Sequence, residues 1–291
     1  MTILTQGPDP HPRTPRFRCP PGTVDSHIHL FGPLSQYPFD PATFYISADA
    51  LPETNIKLQD TLGIARAVIV SGGGYGRNTT HLLDTLQRFP DRYRGIALVP
   101  DDIAPAELER MTKLGVRGLR FMHSSRGGVL PTISETVAAR VFEHGWHVQF
   151  YPHGVDITDV ADRLLALPNT IVLDHFAAIP AERGVDQQAM RTLLRMLDSG
   201  RVWVKLSGPM RCMPGDFPYL ALTPIARALV AHAPERLVWG TDWPHVNMDG
   251  RGMPNDGDLV DLIPEWITNA ATRQQILVDN PNRLYGFPAM G

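Results

Sequence analysis

Four side chains carry the chemistry that the chain offers: His27, His29, His175 and Asp242. His27 and His29 stand two apart in Val24-Asp25-Ser26-His27-Ile28-His29-Leu30-Phe31, where apolar and polar residues alternate with period two. On a β-strand that spacing points Asp25, His27 and His29 to one face. Polar groups placed there are expensive to bury unless something uses them. His175 follows Leu173-Asp174, and Asp242 sits in Gly240-Thr241-Asp242-Trp243-Pro244-His245, each directly after an apolar run. Brought to one point, three imidazoles and a carboxylate have two uses. They can ligate a Zn2+ ion, which takes nitrogen and carboxylate oxygen. Without metal, the imidazoles polarise a carbonyl and the carboxylate takes a proton from water. The plainer alternatives are a hydrogen-bonded core histidine for His175 and a turn or cap residue for Asp242.

Residues this far apart meet only in a fold that gathers strand ends. Helical patterns over 54–62, 79–88, 105–113, 135–144, 157–166, 187–198 and 223–232 separate apolar runs over 65–70, 95–99, 116–122, 147–151, 170–175, 202–207 and 236–240. With the first stretch these make eight strands, each parted from the next by one helical segment. Further helices fall within 258–269 and 271–279. Strict alternation implies right-handed crossovers and a parallel sheet. Eight units over about 270 residues fit an α/β fold of the (β/α)8 barrel type better than an open sheet. No Gly-x-Gly-x-x-Gly opens a helix after the first strand, which disfavours a dinucleotide fold.

A barrel builds its active site at the C-terminal strand ends. Those ends carry His27 and His29, then Arg120, His123 and Arg126, then Tyr151 and His153, then His175. Strand seven adds Lys205, Ser207 and Arg211, and strand eight adds Asp242, His245 and Asn247. The opposite ends have no comparable set. That asymmetry is the sequence's physical argument for an enzyme.

Composition bounds the rest. The 291 residues hold 43% hydrophobic and 20% charged residues, as in an ordinary globular protein. A net charge of −3 argues against partners recognised by bulk charge, so neither nucleic acid nor a membrane surface is expected. Cys19 and Cys212 are the only cysteines, so no disulfide framework is expected and a cytoplasmic location is the default. No apolar run approaches the ~20 residues that span a bilayer. Residues 1–21 are rich in proline and arginine and lack the apolar core of a secretory signal. They read as an extended arm over the body or a neighbouring subunit, with the barrel at 22–291 and a homo-oligomer compatible with either. Only Lys57, Lys113 and Lys205 are lysines among 27 basic residues. Arginine reads carboxylates better, through its planar fork.

Asp25-Ser26-His27-Ile28-His29, Asp174-His175 and Gly240-Thr241-Asp242-Trp243-Pro244-His245 resemble the amidohydrolase superfamily, and more narrowly its 2-pyrone-4,6-dicarboxylate lactonase group. The likeness runs from Gly22 to Phe287 and includes Arg117-Gly118-Leu119-Arg120-Phe121, Gly145-Trp146-His147-Val148 and Asn280-Pro281-Asn282-Arg283-Leu284-Tyr285. It implies a lactonase in which Asp242 activates water and His27, His29 and His175 surround the lactone carbonyl. It further implies that Arg120, Arg126, Arg211 and Tyr151 hold the substrate's acid groups, with Asn247 and Tyr45 beside them. A dianionic ring does need several fixed cations, and bidentate arginine contacts supply charge and orientation together.

The resemblance implies no required cofactor. No lysine on strand four is available to bridge two metals, and Tyr151 stands where a mononuclear zinc site often has a histidine. One Zn2+ on His27, His29, His175 and Asp242 is the alternative. Lys205 is expected to pair with an interior carboxylate such as Asp25. The group's hydrogen-bonding side chains after strand two are replaced here by Ser71-Gly72-Gly73-Gly74-Tyr75-Gly76, with Tyr75 expected to fill the space. The expected partner is a small anionic lactone, 2-pyrone-4,6-dicarboxylate or muconolactone-like. The competing readings are a sugar-acid lactone isomerase, a zinc-dependent decarboxylase or amidohydrolase, and a non-catalytic binding barrel.

Overall fold

Apolar runs bounded by glycine and proline form strands where the pattern places them, and the amphipathic segments between them form the helices. The computed structural model describes residues 3–122, 133–213, 215, 217–248 and 252–288. The barrel strands are β2 (Val24–Ile28), β4 (Arg66–Val70), β5 (Tyr93–Ala97), β6 (Val116–Met122), β7 (His147–Tyr151), β8 (Ile171–Leu173), β9 (Val202–Ser207) and β10 (Leu237–Gly240). Outside the barrel, β1 (Ile3–Thr5) pairs in parallel with β3 (Tyr45–Ser47), so the long loop after β2 is not wholly irregular. Around the strands lie α1 (Pro52–Leu62), α2 (Thr80–Arg88), α3 (Pro105–Leu114), α4 (Glu135–Phe142), α5 (Ile157–Ala166), α6 (Gln188–Asp198) and α7 (Thr223–His232). Proline in the first turn starts α1, α3 and α7, and left-handed Gly63 and Gly115 end α1 and α3. Among the described residues no helix is long and apolar enough to cross a membrane.

Neighbouring strands pair in parallel in the order β2, β4, β5, β6, β7, β8, β9, β10. Their apolar side chains pack between sheet and helices, with Leu119, Val148, Phe150, Ile171 and Val204 almost fully buried. The result is the (β/α)8 barrel. Its seam runs between β2 and β10, where Asp242 N donates to His27 O at 2.9 Å and His29 N to Trp243 O at 2.7 Å. Asp25 reinforces the seam. It accepts from Thr241 N at 3.0 Å and Thr241 Oγ1 at 2.6 Å, and burial pushes its carboxyl up to about 7. Gly240 is needed here because a Cβ would stand 2.7 Å from His27 N.

The arm is fastened to the body at two places. Beyond β1, Arg13 N donates to Asn255 Oδ1 at 3.0 Å, and Phe17 N and Arg16 Nε donate to Asp261 at 2.8 and 3.0 Å. The arm therefore grips both β3 and α8 (Asp256–Asp261), the two segments that flank the barrel mouth. Two strands are displaced or cut short at the end by two residues relative to expectation. β5 begins two residues before the expected strand, and β8 stops at Leu173, because the chain turns sharply at His175.

Candidate active site

Three strand ends deliver the expected cluster. β2 brings His27 and His29, the segment after β8 brings His175, and the turn after β10 brings Asp242. Asp242 is 1% exposed and its two oxygens have different surroundings. Oδ2 accepts from Arg211 Nε at 2.8 Å. Oδ1 has no hydrogen-bond partner, yet His29 Nε2 lies at 3.5 Å and the Nε2 atoms of His27 and His175 each at 3.7 Å. Burial opposes charge on Asp242, but Arg211 and the surrounding imidazoles outweigh it and hold the carboxyl well below the ordinary carboxylate range. Burial acts the other way on histidine: it drives His27 well below its ordinary value and His175 down to about 4.

The backbone is strained where these side chains emerge. His175, Phe176, Ala177 and Ala178 have φ of 52°, 52°, 54° and 52°, a left-handed turn made without glycine. Such residues cost roughly 1–2 kcal/mol each. Asp242, His245 and Asn247 are left-handed as well, at 70°, 61° and 58°. Strain of this kind collects at functional sites. Gly208 completes the arrangement, since a Cβ there would stand 2.7 Å from His175 Nδ1. Buried His245 sets its Nε2 3.0 Å from Asp256 Oδ1, tying the Asp242 turn to α8.

Behind the histidines lies a residue that the sequence reading passed over. Asp174 is fully buried; its Oδ2 accepts from Arg120 Nη2 at 3.2 Å and Gln149 Nε2 at 3.1 Å. Its Oδ1 lies 3.1 Å from His27 Nδ1 and 3.4 Å from Lys205 Nζ. Lys205 thus pairs with Asp174 rather than Asp25. Its ammonium donates to Ser26 O and Gln149 Oε1, each at 2.8 Å, while Asp25 is already occupied by Thr241. Burial pulls this ammonium down to about 8. Ser207 Oγ stands 3.0 Å from His175 Nδ1. The signal for these residues was there: Gln149, Lys205 and Ser207 occupy inward positions on strands, and Asp174 directly precedes His175.

The residues expected to bind substrate have varied surroundings. Arg211 clamps Asp242 and also donates to Val246 O at 2.8 Å. Arg120 donates to Ser71 O at 2.9 Å as well as to Asp174. Tyr151 lays its ring edge-to-face on His175 at 4.8 Å, with its hydroxyl 3.2 Å from His153 Nδ1. Asn247 is half-buried, and its carbonyl oxygen is 3.4 Å from Arg211 Nη1. Tyr45 is buried and accepts from Gly74 N at 3.1 Å. Arg126 and His123 lie outside the described residues.

Tyr75 stacks on Phe39 at 5.0 Å and accepts from Gly32 N at 2.8 Å. Gly74 of that loop leaves no extra room, because a Cβ on it would meet the Phe39 ring at 2.5 Å. A cavity of about 520 Å³ beside Arg16, Phe217, Leu220 and Glu265 contains none of the reacting or expected substrate-binding groups.

Comparison with known proteins gives the family. A 2-pyrone-4,6-dicarboxylate hydrolase of Comamonas testosteroni is 37% identical over 286 residues, covering 94% of this chain and 93% of that protein. A 4-sulfomuconolactone hydrolase of Hydrogenophaga intermedia is 36% identical, with coverage of 98% and 95%. A solved Pseudomonas putida structure, provisionally named a 2-pyrone-4,6-dicarboxylic acid hydrolase, superposes with a TM-score of 0.81 at 31% identity, covering 93% of this chain and 100% of its own. The amidohydrolase family model matches residues 24–287, so the chain belongs to the amidohydrolase family.

Proposed function

We propose that the protein is a hydrolase that opens the ring of a small lactone carrying carboxylate or similar anionic groups. The observation that carries this is Oδ1 of Asp242, a carboxylate oxygen without a hydrogen-bond partner facing three imidazole nitrogens. Asp242 takes a proton from water as the water oxygen bonds to the lactone carbonyl carbon, and the carbonyl π pair moves onto its oxygen. A fixed N–H dipole beside that oxygen stabilises the charge. Collapse of the intermediate breaks the ring C–O bond, and the leaving oxygen takes the proton back from Asp242. Carboxyl protonation well below neutrality keeps Asp242 ready as a base.

The anionic character of the substrate rests on Arg120 and Arg211 at the site and on the substrates named for the two relatives. Tyr151, Asn247, Tyr45 and Arg126 complete the proposed substrate-binding set. The reaction is proposed to need no cofactor. Ligand atoms of His27, His175 and Asp242 lie within 4.8 Å of one another and fit a single divalent ion, with His29 beside them. Such an ion would supply Lewis-acid polarisation of the carbonyl. Arg211 bonds Oδ2 of the one carboxylate in the set, so Oδ1 would be its ligand atom. Location in the cytoplasm accords with the free thiols of Cys19 and Cys212.

Asp242→Asn tests the assignment. The variant is expected to bind an anionic lactone while losing turnover, and a near-wild-type rate would remove Asp242 as the base.

A further inference from the structure

The three imidazoles at Asp242 are held at their other nitrogen by three different groups, and the difference sorts them. His27 Nδ1 lies 3.1 Å from Asp174 Oδ1. His29 Nδ1 lies 2.8 Å from the carbonyl oxygen of Val70. His175 Nδ1 lies 3.0 Å from the hydroxyl of Ser207. A carboxylate and a carbonyl only accept, whereas a hydroxyl can donate. The hydrogen bond made by one imidazole nitrogen fixes what the other presents.

We propose that Asp174 is a positioning residue that, together with the Val70 carbonyl and Ser207, divides the histidines into two acceptors and one donor. His27 and His29 carry their proton on Nδ1 and present bare Nε2 lone pairs. His175 accepts the Ser207 proton at Nδ1 and presents an Nε2–H.

One neighbour competes for His27. Lys205 Nζ stands 3.5 Å from His27 Nδ1, and a third ammonium proton given to that nitrogen would move the imidazole proton to Nε2. The distances decide against it. Two lone pairs, on His27 Nδ1 and Asp174 Oδ1, would then face each other across 3.1 Å. With the proton on Nδ1, Asp174 instead receives donors at both oxygens, since Arg120 and Gln149 already occupy Oδ2.

The consequence for the reaction rests on the lactone-opening assignment. The attacking water gives one proton to Asp242 and donates its other hydrogen bond to His27 or His29, and His175 Nε2–H donates to the carbonyl oxygen as charge builds on it. The water's transferred proton still ends on Asp242, so the step balances without a further reactant.

The test is a long-range 1H–15N NMR experiment on the full chain with 15N-labelled histidine, assigned by loss of signals in His27→Gln, His29→Gln and His175→Gln. Expected are Nδ1–H patterns for His27 and His29 and an Nε2–H pattern for His175. An Nε2–H pattern for His27, or one shared by all three, overturns the proposal. Asp174→Asn offers an amide N–H to His27 and is expected to move its proton toward Nε2, with kcat lower by about 10- to 100-fold, as for other residues that orient a reactive histidine. An Asp174→Asn spectrum that keeps His27 on Nδ1 contradicts the positioning role. Should that variant fail to fold, the wild-type spectrum decides, and Ser207→Ala should alter the His175 pattern alone. The expected tautomers without lactone turnover would sink the functional assignment and leave this one standing. Turnover with the wrong tautomers does the reverse.

Discussion

Arg211 donates from Nε to Oδ2 of Asp242 over 2.8 Å, while Oδ1 of the same carboxylate has no hydrogen-bond partner. The two residues come from the segments after β9 and β10, 31 positions apart. The pairing fixes the carboxylate plane, keeps it ionised, and leaves one oxygen for chemistry. Arg211 is also one of the residues that the resemblance assigns to the substrate's acid groups.

Removing that clamp should affect both rate and pH profile. A charge-assisted hydrogen bond is worth about 1.5–3 kcal/mol, so Arg211→Leu is expected to lower kcat/KM by about 10- to 100-fold. Loss of the cation also raises the Asp242 carboxyl, and the base works only when ionised. The acid limb of the pH–rate profile should therefore move to higher pH, and an unmoved limb would contradict the clamp.

Acid stability should follow two histidines away from the reacting groups. Burial pushes His81 down to about 4 and His147 down to about 3 from an ordinary 6.5. Between those values the folded protein keeps them neutral while the unfolded chain binds protons. Stability is complete above about 6.5 and declines as pH falls through this window toward the folded values. Urea midpoints measured from pH 7 to pH 4 should fall, and His81→Gln should flatten part of the slope. Equal slopes for the two proteins would refute the assignment.

The seam between β2 and β10 has no room for a side chain at Gly240, where a Cβ would stand 2.7 Å from a backbone nitrogen. Overpacking of this kind costs about 1–3 kcal/mol. Gly240→Ala is expected to lower unfolding stability by that amount in urea titration; an unchanged midpoint would mean the seam can open freely.

Two contacts of the loop–helix face should separate in the same measurement. His245 and Asp256 are both nearly fully buried and meet at 3.0 Å, so Asp256→Ala leaves a buried ring nitrogen unpaired at about 1–3 kcal/mol. Arg16 pairs with Asp261 from an exposed position, and Arg16→Ala should cost less than about 1 kcal/mol. A reversed order would contradict this ranking.

How much of this was legible in the sequence differs by element. Period-two and helical patterns located β6, β7, β9, α5 and α7 to the residue, because buried strands and amphipathic helices advertise their faces. His27, His29, His175 and Asp242 were legible from their places at strand ends. Three kinds of feature were not. The left-handed turn at His175–Ala178 has no glycine to announce it. The pairing of β1 with β3 joins segments about 40 residues apart through backbone bonds that carry no side-chain signature. Partner choice among buried charges also stayed hidden: Lys205 had two interior carboxylates within reach, and only the seam bonds of Asp25 to Thr241 decided for Asp174.

The central claim is that water, activated by Asp242, opens a lactone ring. Its most direct measurement is turnover of 2-pyrone-4,6-dicarboxylate and muconolactone-type acids in 18O-labelled water, after chelator treatment, with products read by 13C NMR and mass spectrometry. The account predicts an open-chain acid with one 18O in the new carboxylate, formed at an undiminished rate by chelated enzyme and not by Asp242→Asn. An unlabelled lactone isomer as product, or activity lost on chelation and restored by Zn2+, would contradict it.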